Sequence, residues 1–191
     1  MAALIFILIS LTAAVFHGAA PVRAEDATTP TPIEINDDTA TVEVKLYTDE
    51  NHNQPLGDTA VTSTSKLYGA FSAQFKSGKA PSSGNNIAVY ELPGTIVVDD
   101  AGGNLMEGSE SSAAQAGTWK IEGNKVVFTF DKGWLERNPA NIHVAANFSF
   151  QLKNKNVGSG SNASFVFPGA GMINIPTKDG KVTGTKSGTF F

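Results

Sequence analysis

The sequence predicts an all-β protein, an antiparallel sandwich, on three observations. Short apolar runs of strand length alternate with polar residues at a period of two, turn-forming clusters separate these runs, and no segment carries a helical stripe. Glycine is frequent, at 19 residues, which suits a chain that must turn often.

The elements follow in order. Val42, Val44 and Leu46 alternate with Thr41, Glu43 and Lys45, which places an apolar set on one face of a first strand. Comparable runs cover Lys66 to Phe75, Ile87 to Leu92, Thr95 to Val98, Thr118 to Ile121, Lys125 to Phe130, Asn147 to Leu152, Ser164 to Phe167 and Met172 to Ile175. Turns are expected at Asn51 to Gly57, Ser82 to Asn86, Asp99 to Asn104, Gly158 to Gly160 and Lys178 to Gly180. Glu122-Gly123-Asn124 between two alternating strands is the sharpest hairpin signature. Glu110 to Ala116 and Trp134 to Arg137 are each compatible with one helical turn, too short to stand without tertiary support.

The first 24 residues read as a signal peptide cleaved after Ala24, in Val22-Arg23-Ala24. Its apolar centre, Leu4 to Val15, is about a dozen residues long, against the roughly 20 a spanning helix needs. An exported chain with no membrane insertion after cleavage is the expectation. Residues 25–32, with two acids, three threonines and two prolines, read as a flexible linker, and 33–191 as one domain. The end in Phe190-Phe191 reads as a strand cut short, and a fragment holding the first domain of a longer protein is the expectation.

Removing the leader takes Arg23 with it and leaves 13 Lys and Arg against 18 Asp and Glu, a net charge of −5. That balance speaks against nucleic acid and anionic membrane surfaces as partners. The chain has no cysteine, so no disulfide supports it, a habit of exported Gram-positive proteins.

Catalytic motifs are scarce. The leader holds His17, which leaves His52 in a polar loop, read as solvated, and His143 before a strand, read as a partly buried structural residue. No Gly-x-Ser-x-Gly elbow occurs. Two histidines without cysteine do not make a zinc cluster. Asp49-x-Asn51-x-Asn53 starts like a calcium loop, but Gln54 stands where the glycine belongs and Ala60 where the closing acid belongs. Asp37-Asp38 and Asp99-Asp100 read as solvated turn residues. The reading is a non-enzyme with no cofactor and no metal.

Leu92-Pro93-Gly94-Thr95 approximates a sortase signal, but Ile96 replaces the final glycine. Asn147-Phe148-Ser149 and Asn162-Ala163-Ser164 match the glycosylation acceptor pattern by chance in a chain rich in Asn and Ser. Among the aromatic residues, Trp119, Phe128 and Phe130 read as core. Trp134 lies after a strand, in Asp131-Lys132-Gly133-Trp134-Leu135-Glu136, and either closes the end of the core or offers a stacking face; it is the one candidate ligand-binding residue.

Glu91-Leu92-Pro93, Gly117-Thr118-Trp119-Lys120-Ile121, Gly123 to Phe130, Trp134 and Asn147 to Leu152 together resemble the ligand-binding immunoglobulin-like domains of Gram-positive surface adhesins, the collagen-adhesin and clumping-factor families among them. The pieces cover about a third of the mature chain; their order and spacing carry the resemblance. Two features depart from the pattern: Gly84-Asn85-Asn86 stands where the family has Gly-Asp, and no wall-anchoring sequence is present. The resemblance implies an immunoglobulin-like sandwich, monomeric and displayed on the cell wall or secreted, that holds an extracellular protein or glycan by shape and by backbone pairing along a groove or edge strand. It names no ligand. Related domains are often stiffened by a Lys–Asn or Lys–Asp isopeptide bond; Lys45 would be the donor, but alternation turns it toward solvent, where its amine stays protonated.

Three functions are therefore compared: an adhesin module, a structural stalk or pilin segment, and a carbohydrate-binding module. An exposed Trp134 in a polar groove would favour the third. A buried Trp134 beside an open strand edge would favour the first.

Overall fold

The computed structural model describes residues 30–62, 64–107, 114–152 and 162–178. The expected leader, most of the linker, the Gly158 to Gly160 turn and the terminal Phe190-Phe191 lie outside these residues.

Among the described residues there are eleven strands and one short helix: β1 (Ile33–Glu34), β2 (Ala40–Tyr47), β3 (Leu67–Phe75), β4 (Ile87–Glu91), β5 (Ile96–Val98), β6 (Gly102–Met106), β7 (Gln115–Glu122), β8 (Lys125–Phe130), α1 (Lys132–Arg137), β9 (His143–Leu152), β10 (Asn162–Phe167) and β11 (Gly171–Pro176). They form a five-stranded sheet in the order β1-β4-β8-β7-β6, a four-stranded sheet in the order β2-β3-β9-β5, and a β10-β11 hairpin. All pairings are antiparallel except the short parallel contact of β1 with β4. The all-β sandwich read from the sequence is what the chain forms.

Period-two alternation explains the layering. In β3, Leu67, Gly69, Phe71, Ala73 and Phe75 point inward and are buried, while Tyr68, Ala70, Ser72 and Gln74 point outward. In β9, Val144, Ala146, Phe148, Phe150 and Leu152 do the same. The five-stranded sheet answers with Ala88, Tyr90, Val126, Phe128 and Phe130. Phe71 meets Tyr90 at 4.2 Å and Phe128 at 5.8 Å between ring centroids, so one aromatic side chain of one sheet touches two strands of the other. The β10-β11 hairpin adds Phe165, Phe167 and Ile175 to the same core.

The β7-β8 hairpin closes at Glu122↔Lys125, with Gly123 at φ +61 as the first of two loop residues, the mark of a type II′ turn. Helix α1 has only six residues; Asp131 caps it by accepting the N–H of Trp134, and burial of Trp134 and Leu135 supplies the tertiary support that so short a helix needs. No helix among the described residues is long and apolar enough to cross a membrane.

Three local expectations need correction. Gly102, Gly103 and Asn104 belong to strand β6, so the turn ends at Ala101. The two glycines serve close approach: a Cβ on Gly103 would sit 3.1 Å from Trp119 Nε1, and one on Gly102 would sit 2.9 Å from the Trp119 carbonyl oxygen. Gln115 and Ala116 are strand, with residues 108–113 of that stretch outside the described ones. Trp119 is half-buried, packed against the core from its edge and not within it. Lys45 is exposed, as alternation requires, and pairs with Glu43 at 3.0 Å; that carboxylate holds the amine above its ordinary range, in the protonated form.

Candidate functional site

At one corner the two sheets do not close against each other. Among the described residues β6 is the outer strand of its sheet and pairs with β7 alone. β5 covers only the C-terminal part of β9, from Phe150 to Leu152, with one further bond from Asp99 N–H to the Ser149 carbonyl. The first half of β9 therefore has β3 on one side and no described strand on the other.

Hydrogen-bond parity shows which backbone groups face the gap. N–H and C=O of one residue point the same way in an antiparallel strand, and neighbours alternate. Ile142 C=O is bonded by Phe75 N–H, toward β3, and Ser149 C=O by Asp99 N–H, away from it. His143, Ala145 and Asn147 share the Ser149 direction. On β6, the bond of Ile121 N–H to Ala101 C=O turns odd residues toward β7, which leaves Asn104 facing outward. Two open strand edges, one from each sheet, thus flank a single cleft.

The cleft has a volume of about 580 Å³. Its floor is apolar, made by Leu105, Ala116, Phe130, Trp134 and Val144; Asn104, Met106 and Glu107 form one rim, and Asn138, Asn141 and His143 the other. Trp134 is 7 % exposed. Four contacts fix it: its ring lies near-parallel to Phe130 at 6.2 Å, its N–H donates to Asp131 Oδ1 at 2.7 Å, its carbonyl accepts from the Asn138 side chain at 3.0 Å, and its indole N–H reaches Glu107 Oε2 at 3.4 Å. Met106 is a large apolar side chain left exposed on the rim. Asn141 adopts φ +59, a left-handed conformation that few residues other than glycine and asparagine hold, where the chain turns from α1 into β9.

Trp134, the residue singled out from the sequence, is thus part of this site, as a wall and not as an exposed platform. The backbone edges of Asn104 and Ala145 and the rim residue Glu107 escaped sequence reasoning; Gly-Gly-Asn resembled a turn, and an edge left uncovered has no signature in one strand's own residues. His143 is exposed on the rim, not partly buried as expected, since its position in β9 points outward. His52 is half-buried and not simply solvated: it lies at φ +56 with its ring edge-on to Tyr47 at 4.8 Å. Asp99 also does more than terminate a turn. It accepts from Ser149 Oγ at 2.6 Å and pairs with Lys66 at 2.9 Å, which together hold its carboxyl below the ordinary carboxylate range. Asp37 and Asp38 are exposed turn residues.

The cleft offers backbone donors and acceptors, an apolar floor and amide side chains. Among the described residues no three His, Cys, Asp or Glu side chains gather as metal ligands. No protein-family model matches the chain, and no curated protein matches it in sequence.

Proposed function

We infer that the chain is an immunoglobulin-like adhesin domain, displayed outside the cell, that binds an extended segment of an extracellular protein without catalysing a reaction on it. The observation that carries this reading is the pair of open edges, Asn104 on β6 and Ala145 on β9, over the floor made by Trp134. An inserted strand would bond to backbone on either side and place alternate side chains on the apolar floor, the arrangement by which peptides add to sheets. Burial of Trp134 favours this over a module that stacks sugars on that residue. The apolar leader supports export, and the adhesin resemblance of the Leu92 to Leu152 stretch agrees with it.

The test is selection of extended peptides from a displayed library against the purified domain, followed by Ala145→Pro. Proline removes the outward N–H of Ala145 without breaking a bond to β3. Peptides that bind the parent and lose tenfold or more against a folded Ala145→Pro variant support the reading. Selected peptides indifferent to that variant, or turnover of a substrate by the domain, contradict it.

A further inference from the structure

A second surface lies on the outward face of the β2-β3-β9-β5 sheet, centred on residues away from the cleft and meeting it at Ala145. Tyr47 on β2 and Tyr68 on β3 are direct cross-strand partners, and Ser149 on β9 lies opposite Tyr68. Inward neighbours Leu46 and Leu67 are buried, so alternation turns both tyrosines out, where they are half-buried. The two aromatic side chains stand on adjacent strands of a mixed face that also carries Ala70, Ala145 and the exposed Val97.

The next rows down the sheet are Lys45, Ala70 and Asn147, then Glu43, Ser72 and Ala145. Ala70, Ser72 and Ala145 are small, so a shallow trough runs from the tyrosines between a Glu43–Lys45 ridge and the amide of Asn147. Successive rows are about 6.6 Å apart. The two lysines of the face are each paired with an acid, Lys45 with Glu43 at 3.0 Å and Lys66 with Asp99 at 2.9 Å.

Tyr47 is also held in place. His52 meets Tyr47 edge-on at an interplanar angle of 76°, and its loop accepts a left-handed φ of +56 at that residue. Lys66 Nζ lies 6.0 Å from the Tyr68 ring centre. Such φ values in a residue other than glycine cost energy and persist where the surroundings hold them. A tyrosine hydroxyl can both donate and accept a hydrogen bond.

We propose that this face binds a neutral pyranose glycan, one sugar ring stacking on the Tyr47–Tyr68 pair and the chain continuing along the Ala70–Ser72 trough. A pyranose presents an apolar C–H face ringed by hydroxyls, which matches an aromatic plane ringed by the Tyr, Ser149 and Asn147 polar groups. Lys45 and Lys66 are each paired with an acid, which disfavours an acidic sugar, so the ligand is a neutral one. The Tyr47 ring, set by His52, costs little entropy on binding. Tyr47, Tyr68 and Ala70, which carry this proposal, do not line the strand-edge cleft, so either can fail without the other.

Nuclear magnetic resonance titration of the whole chain tests it, with maltotetraose, cellotetraose, mannotetraose and chitotetraose as neutral probes and sialyllactose and a heparin tetrasaccharide as acidic ones. At least one neutral probe is expected to shift the Tyr47 and Tyr68 ring signals and the Ala70 and Asn147 amides saturably, with tenfold or greater weakening in Tyr68→Ala. Because Tyr68 also packs on its neighbours, Ala70→Gln provides a second variant that fills the trough and removes no packing; the same loss is expected. No shift with any neutral probe, binding of acidic probes alone, or affinity unchanged in both variants would overturn the proposal.

Discussion

The ring of Phe71 on β3 lies 4.2 Å from the ring of Tyr90 on β4, and each is buried, at 1 % and 0 % exposure. This contact joins the two sheets at the centre of the sandwich. Phe71→Ala should therefore cost about 3–5 kcal/mol, the range for removing a buried aromatic ring and leaving a cavity. A urea unfolding curve measures it; a loss below about 1 kcal/mol would mean that the sheets do not meet there.

Tyr90 also ties the core to the β10-β11 hairpin, through its hydroxyl to the Pro168 carbonyl at 3.1 Å. Burial pushes its ionisation above the ordinary tyrosine range. The neutral form is favoured in the folded state, so its contribution is complete below about pH 10, the unfolded value, and declines as pH rises beyond it. Tyr90→Phe should lose about 1 kcal/mol at neutral pH. It should also show a smaller further loss above pH 10 than the parent, read by thermal melts across that interval.

Asp131 holds the start of α1 and, through it, the position of Trp134. Asp131→Ala should cost about 1 kcal/mol, the usual worth of an N-cap. Trp134 should then become more accessible, seen as a red shift and stronger quenching of tryptophan emission. Emission unchanged while stability falls would detach the cap from the cleft floor.

Asp99 is ionised more readily in the folded state, from its bonds to Ser149 and Lys66. A depressed pKa gives stability that is present above the unfolded value of about 3.9 and disappears as pH falls through the folded one. Because the pair is half-exposed, Asp99→Asn should cost under about 1 kcal/mol at pH 7. The difference from the parent should vanish in acid; a gap that persists at the lowest pH at which both fold would assign the effect to shape and not charge.

Much of the fold was legible because burial follows a two-residue period. Val42 and Leu46 in β2, Phe128 and Phe130 in β8, and the Gly123 turn each bear their role in their own neighbourhood. Strand β6 did not, since Gly102 and Gly103 carry no side chain to alternate and are explained only by the Trp119 backbone and ring brought against them from β7. Gly69 is similar: a Cβ there would run into the Phe148 ring from β9. The candidate site was half legible. Trp134 announced itself as an aromatic residue leaving a strand, whereas the open edge of Ala145 exists only because β5 stops short of it, a fact of sheet order that no local pattern holds.

Hydrogen exchange at single-residue resolution measures the open seam directly. In the free domain the Ala145 and Asn104 amides should exchange much faster than those of Val144 and Ala146, which point into the β3 ladder, and both should slow when a selected peptide binds. Protection of Ala145 equal to that of its neighbours in the free domain, or no slowing at either amide on binding, would contradict a strand-accepting cleft.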